Sequence, residues 1–260
     1  MRRWVAAFAG LFALGLPGIA SLLLVLPQVL ANAPGHPELH GARLIGVEAL
    51  VLAQSAVFVA VAAAVGLACA KSVGLHSLIV ERILSGTWVA GSRRRPWQMA
   101  LAVAGALLVV TIVVDEALIP YYGPAWEALK LAMPADWRTA VAGVLYGGMV
   151  EEILFRWGLM SLVAWGVWRI GRRDRTAPPS SRVLVVAIAI SAVAFSVGHL
   201  PFATMVSQQL PLVLLVRTLA INVVAGAAFG WLYWRHGLEW AMLSHATFHA
   251  GLFILTPLLT

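Results

Sequence analysis

Apolar runs long enough to cross a bilayer, roughly 20 residues each, recur from one end of this chain to the other, and few architectures accommodate that pattern. An ordinary soluble domain carries about 25% charged residues to cover its surface. Here 11% are charged and 61% hydrophobic, and no polar stretch exceeds what a loop between spans needs. The reading is an all-α polytopic membrane bundle of about seven transmembrane helices, with no separate soluble domain.

The seven apolar segments lie at about 4–31, 44–70, 97–121, 139–170, 183–199, 211–234 and 240–258. The fourth is too long for a simple crossing. At about 1.5 Å per residue it runs to about 48 Å, against a hydrocarbon core of about 30 Å. A kink near Gly147-Gly148, or a projection beyond the membrane at the Arg169 end, is expected. Met1-Arg2-Arg3 before the first run, with Ala31-Asn32-Ala33 after it, resembles a cleavable signal. The run is longer than a signal's apolar region of about 7–15 residues, so an uncleaved span is expected. Between the second and third segments, Leu75, Leu78, Ile79, Ile83 and Leu84 mix with Lys71, Glu81 and Arg82. That mixture suits either a short helix lying on the membrane surface or a solvated connector.

The net charge of +7 does not point to nucleic acid, because the basic residues fall in short clusters between apolar runs. With the N-terminus in the cytoplasm, Arg2, Arg3, Lys71, Arg82, Arg93, Arg94, Arg95, Arg169, Arg172, Arg173, Arg175, Arg182 and Arg235 lie inside, and only Arg43, Lys130 and Arg138 outside. This positive-inside bias predicts a multi-pass protein of the cell membrane with an external C-terminus. Trp97, Tyr121, Tyr122, Trp126 and Trp137 lie near span ends, where aromatic rings favour the interface. The single cysteine, Cys69, sits in an apolar run, so no disulfide framework or CxxC site is available.

Ionisable groups inside a membrane are costly, and those that persist usually face an interior or a water-filled cavity. The set here is Glu151, Glu152 and Arg156 in the fourth segment, His199 at the end of the fifth, Arg217 and Asn222 in the sixth, and His245 and His249 in the seventh. Glu48, Asp115 and Glu116 are further acids in apolar contexts. Residues four apart share a helix face, so Glu152 can pair with Arg156, whereas the adjacent Glu151 projects about 100° away and stays available. A poorly solvated free carboxylate suits a general base or acid. An acid–base pair alone would serve equally well to fix helix packing. Three imidazoles beside a free carboxylate form a set able to position and deprotonate a water. They also supply zinc's ligand types, with Glu151, His199, His245 and His249 as the candidates. The zincin pattern HExxH is absent, because Ala246 follows His245, and the sequence leaves a zinc-bearing and a metal-free site both open. The pairs Gly143/Gly147 and Gly226/Gly230 make GxxxG patterns that allow close helix approach.

The ordered motifs Glu151-Glu152-Ile-Leu-Phe-Arg156, Phe195-Ser-Val-Gly-His199 and His245-Ala-Thr-Phe-His249 resemble those of the CPBP intramembrane proteases, the CAAX-prenyl and bacteriocin-processing family, which show EExxxR, FxxxH and HxxxN or a variant. The stretch 226–240 is similar to the Gly-rich helix before that family's last motif. The resemblance covers about 140–250, within a core of 139–260 that follows the N-terminal spans and surface loop of 1–138. It implies a glutamate-dependent endopeptidase acting on a membrane-associated peptide or protein. Glu151 with His199 would activate water, Glu152 and Arg156 would hold the helix, and His245 with His249 would orient water or stabilise the oxyanion. Here His249 stands where the family commonly has Asn. A transporter or proton-relay protein, or a non-catalytic relative that binds a partner as scaffold or immunity protein, would use the same residue types. Counting from the span ends sets Glu151 mid-membrane, His199 nearer the outer face and His245 nearer the inner. Straight spans would then hold the motifs apart unless a kink, the break at Leu200-Pro201 or a later-starting last span brings them together.

Overall fold

The computed structural model describes residues 1–33, 41–86, 95–170, 179–207 and 209–259. Among them there is no strand, and the helices are α1 (Arg2–Ala31), α2 (Ala42–Cys69), α3 (Leu78–Ser85), α4 (Pro96–Tyr122), α5 (Pro124–Ala132), α6 (Trp137–Ile170), α7 (Ser181–Gly198), α8 (Leu200–Val206), α9 (Leu212–His236) and α10 (Leu238–Leu259). Among the described residues six helical stretches are long and apolar enough to cross a membrane: α1, α2 with its extension to Val73, α4, α6, α7 continued by α8, and α9. The seventh expected segment is α10. Valines and leucines such as Leu50, Val57, Val61, Val109, Val193 and Val224 are exposed. In water they would form aggregating patches; against lipid they are the required surface. The protein is a multi-pass membrane bundle.

Local chemistry explains the element ends. Ser77 caps α3 by accepting from the Val80 amide at 3.3 Å, and Gly86 closes it with φ 81°. Asp136 caps α6 by accepting from the Arg138 and Thr139 amides at 2.9 and 3.0 Å. Pro201 has no N–H to continue α7, so the chain breaks at His199 and restarts as α8.

α6 is the central helix: its 143–151 portion packs on α1 and α10, and its 153–160 portion on α2 and α7. Over Gly143–Glu151 and Ile153–Met160 the helix adopts the wider π form, which is frequent at functional sites. The surface loop does hold a short helix, α3, which packs on α1.

The two ends of the bundle are consistent with the alternation of spans. Arg3 Nη1 donates to Leu84 O at 2.7 Å and the Leu238 amide to His76 O at 3.2 Å, so the starts of α1 and α10 meet the two ends of α3 at one end of the bundle. Val29, Ala132 and Val206 cluster at the other, where Gln28 donates to Leu131 O at 3.0 Å. Arg93, Arg94, Arg172, Arg173 and Arg175, five of the residues expected inside, lie outside the described residues. Trp97, Tyr121 and Trp137 are exposed as interface aromatics should be, but Tyr122 is fully buried. It donates to Asp115 Oδ1 at 2.9 Å, and Asp115 in turn pairs with Arg217 through both guanidinium and carboxylate edges. This pair ties α4 to α9 and satisfies two of the intramembrane charges.

Gly18 of α1 lets α6 approach. A Cβ there would lie 2.6 Å from Leu145 O and 2.7 Å from a Val150 methyl, whereas one at Gly105 meets nothing. Gly18→Ala should therefore cost about 1–3 kcal/mol of stability and Gly105→Ala should not, as read from thermal unfolding in detergent.

Candidate active site

Glu152 is fully buried in a helix that must cross hydrocarbon, so its charge needs partners. Arg156, one turn on and 1% exposed, supplies one: Nε lies 3.3 Å from Glu152 Oε2. The pair is electrostatic, since neither of those two atoms is aligned for a hydrogen bond. Arg156 Nη2 donates to Gly226 O of α9 at 3.2 Å. Its guanidinium also sits 4.4 Å above the Phe195 ring and 5.4 Å from that of Phe229, where the aromatic faces attract a cation. The expected Glu152–Arg156 pair is present, and it binds α6 to α7 and α9.

The second partner of Glu152 was not anticipated. Its Oε1 lies 2.8 Å from His245 Nδ1 on α10. The other edge of that imidazole, Nε2, is 3.9 Å from Glu151 Oε2 and 3.2 Å from His249 Nε2. Adjacent glutamates were expected to point apart, and they do diverge. The imidazole lies between them and meets one carboxylate at each edge, helped by the smaller angular step per residue of π winding. His245 stacks on Phe229 at 4.5 Å and on His249 at 5.0 Å.

His199 ends α7. Its Nδ1 lies 2.8 Å from Phe195 O, and its ring stands edge-on to that of Phe195 at 4.6 Å. Phe195 is also edge-on to His245 at 5.9 Å, so one phenylalanine touches both imidazoles. Among the described residues no hydrogen bond or ion pair joins His199 directly to Glu151. Counting from span ends misjudged the depth of His245, whose ring lies beside Glu151.

Proton roles follow from what each partner can do. A carboxylate and a carbonyl only accept, so His245 and His199 each donate from Nδ1 and keep a lone pair on Nε2. His249 then donates from Nε2 to His245 Nε2. Among the described residues no Arg or Lys pairs with Glu151, so the pocket holds that carboxylate, a lone pair on His199 Nε2, and a His249 N–H that occupies the lone pair of His245 Nε2. Space for the rings comes from the Gly143/Gly147 pair. A Cβ at Gly143 would lie 2.8 Å from His249 Nδ1, and one at Gly147 2.8 Å from His249 Nε2 and 3.2 Å from His245 Nε2. Among the described residues no group of three or more His, Cys, Asp or Glu side chains is set to hold a metal ion. The Nδ1 edges of His199 and His245 are already committed to protein acceptors.

Residues 134–251 match the family described as type II CAAX prenyl endopeptidase Rce1-like. Over that stretch the chain resembles an Rce1-like domain. The match agrees with the resemblance of the three motifs to CPBP intramembrane proteases, and it covers the three motif-bearing segments, Glu151 to Arg156, Phe195 to His199 and His245 to His249, which the fold brings together. No curated protein and no solved structure matches the chain. The Rce1-like domain points to an intramembrane endopeptidase of the CAAX-protease type.

Removing one member of a buried ion pair strands the other charge, at a typical cost of about 3–5 kcal/mol, while replacing both with apolar residues is often near neutral. Glu152→Ala should accordingly destabilise the Rce1-like domain strongly, and Glu152→Ala combined with Arg156→Met should recover much of the loss, as measured by equilibrium unfolding.

Proposed function

We propose that the chain hydrolyses a peptide bond in a membrane-associated peptide or protein, with Glu151 as general base. The reading is carried by the geometry at His245, whose two ring nitrogens face Glu152 at 2.8 Å and Glu151 at 3.9 Å within the Rce1-like domain. Glu152 is spent on Arg156 and His245, which leaves Glu151, partly exposed to the pocket, as the carboxylate able to take a proton.

In this mechanism Glu151 removes a proton from a water that also donates to the lone pair of His199 Nε2, or to that of His245 Nε2 once the His249 N–H has turned away. The water oxygen bonds to the scissile carbonyl carbon. The oxygen of the tetrahedral intermediate carries the negative charge, and His249, the imidazole whose N–H is not committed to a carboxylate or a carbonyl, turns from His245 to stabilise it. Collapse breaks the C–N bond, and the proton held by Glu151 passes to the leaving amine. Every proton is accounted for by this chain's own side chains. The basic clusters orient the protein with its N-terminus in the cytoplasm, so the ends of α1, α3 and α10 that meet around Arg3 and Glu239 face inward.

The direct test uses the full chain in liposomes with a farnesylated CAAX peptide and an unprenylated membrane-proximal peptide as probes. Glu151→Gln should lower turnover by at least about a hundredfold, with His199→Ala and His245→Ala also strongly impaired. Retention of wild-type turnover by all three would overturn the assignment.

His249 gives a sharper expectation. Asn keeps an N–H donor at that position, so His249→Asn should sustain turnover, while His249→Ala should lose about a hundredfold. Chelation with 1,10-phenanthroline should leave cleavage unchanged; loss of activity restored by added zinc would replace the glutamate mechanism with a metal-assisted one.

A further inference from the structure

Glu239 lies in the first turn of α10, outside all three motifs, and its carboxylate is fully engaged. Oε1 accepts from the Ser77 hydroxyl at 2.6 Å and from the Ile79 amide at 3.0 Å, and Oε2 accepts from the Leu78 amide at 3.0 Å. The neighbouring Leu238 amide donates to His76 O at 3.2 Å. Two consecutive residues of α10 thus grip four consecutive residues at the start of α3. An anion there also suits the positive end of the α3 dipole. The segment being gripped is itself anchored: Val73, Leu75, Ser77 and Val80 are buried.

α10 needs such an anchor because its contact with α6 is built on small residues. Gly143, Gly147 and Gly148 lie against His249, His245 and Ala246. Glycines permit close approach and offer little resistance to sliding along the axis. The 2.8 Å contact of His245 with Glu152 exists at one height only, and a slip of one turn, about 5.4 Å, would abolish it. Along a helix, Glu239 stands about 9 Å before His245 and about 15 Å before His249.

We propose that Glu239 is a positioning residue: by clamping the start of α10 to the start of α3, it sets the height of His245 and His249 against Glu151 and Glu152. The inference rests on the protease reading for its catalytic consequence, and on geometry alone for its structural one. Arg3 supplies the control. It holds the opposite end of α3 through Leu84 O, so Arg3→Ala loosens α3 while leaving the α10 clamp intact.

The experiment compares wild type, Glu239→Gln, Ser77→Ala and Arg3→Ala in liposomes, with kcat and KM on the farnesylated CAAX peptide and ring signals from 15N-histidine-labelled protein. Glu239→Gln should lower kcat about tenfold with KM within about twofold, since sub-ångström misplacement of catalytic groups is expensive, and should shift the His245 and His249 ring signals. Ser77→Ala should change both in the same direction to a smaller degree, and it carries the test should Glu239→Gln fail to fold. Arg3→Ala should leave kcat and the ring signals as in wild type. Unchanged kcat and superimposable ring signals in the Glu239 and Ser77 variants would overturn the proposal, as would an equal loss from Arg3→Ala. Should wild type cleave no probe, the protease reading falls, and the ring signals still decide the clamp by the same criteria.

Discussion

A fully buried carboxylate, Glu152, holds this bundle together at its centre, and the remainder of the site is arranged by what that charge demands. In hydrocarbon it has no water to turn to, so it takes Arg156 from its own helix and the His245 N–H from the last one. Arg156, once buried, needs compensation too, and finds it in the Gly226 carbonyl and in the faces of Phe195 and Phe229. Those contacts draw α7, α9 and α10 around the 152–156 turn of α6. The geometry of the site is a consequence. A His245 whose Nδ1 is committed to Glu152 must present Nε2 to the pocket, and Glu151 and His249 meet it there.

This division of labour explains why two adjacent glutamates are useful in a membrane. A single carboxylate would have to be both the anchor of the helix packing and the base that changes its protonation during a reaction. In the proposed mechanism, splitting the tasks lets Glu152 remain paired while Glu151, which has no Arg or Lys partner among the described residues, exchanges the proton. The glycines at 143 and 147 serve the same end from the opposite side, since any side chain there would occupy the space of the two imidazoles. The glutamates stand where two π-wound stretches of α6 meet.

Much of the fold is legible in the sequence because the bilayer reduces the alternatives to helices of a known length. The seven apolar segments correspond to the observed helices, the Glu152–Arg156 pair follows from spacing along one helix face, and Pro201 marks the break after His199. What spacing along one helix cannot show is contact between helices. The Glu152–His245 bond, the packing of Gly143 and Gly147 on imidazoles, and the burial of Tyr122 against Asp115 all depend on which faces meet. The depth of His245 relative to Glu151 is likewise a contact between helices, and span ends are not a common ruler for it. Glu239 had no motif to mark it, and its role is visible only once α3 is docked. In hindsight, an acid placed at the start of an apolar helix, beside a loop with a Ser cap, was the available signal.

The central claim is that Glu152 and His245 are energetically coupled across two helices within the membrane domain. A double-mutant cycle of Glu152→Ala and His245→Ala, followed by equilibrium unfolding in detergent, measures that coupling directly. Contacting buried groups show interaction energies of about 0.5–3 kcal/mol, and independent sites add to within about 0.5 kcal/mol. The account predicts a coupling above about 1 kcal/mol; strictly additive losses would contradict it.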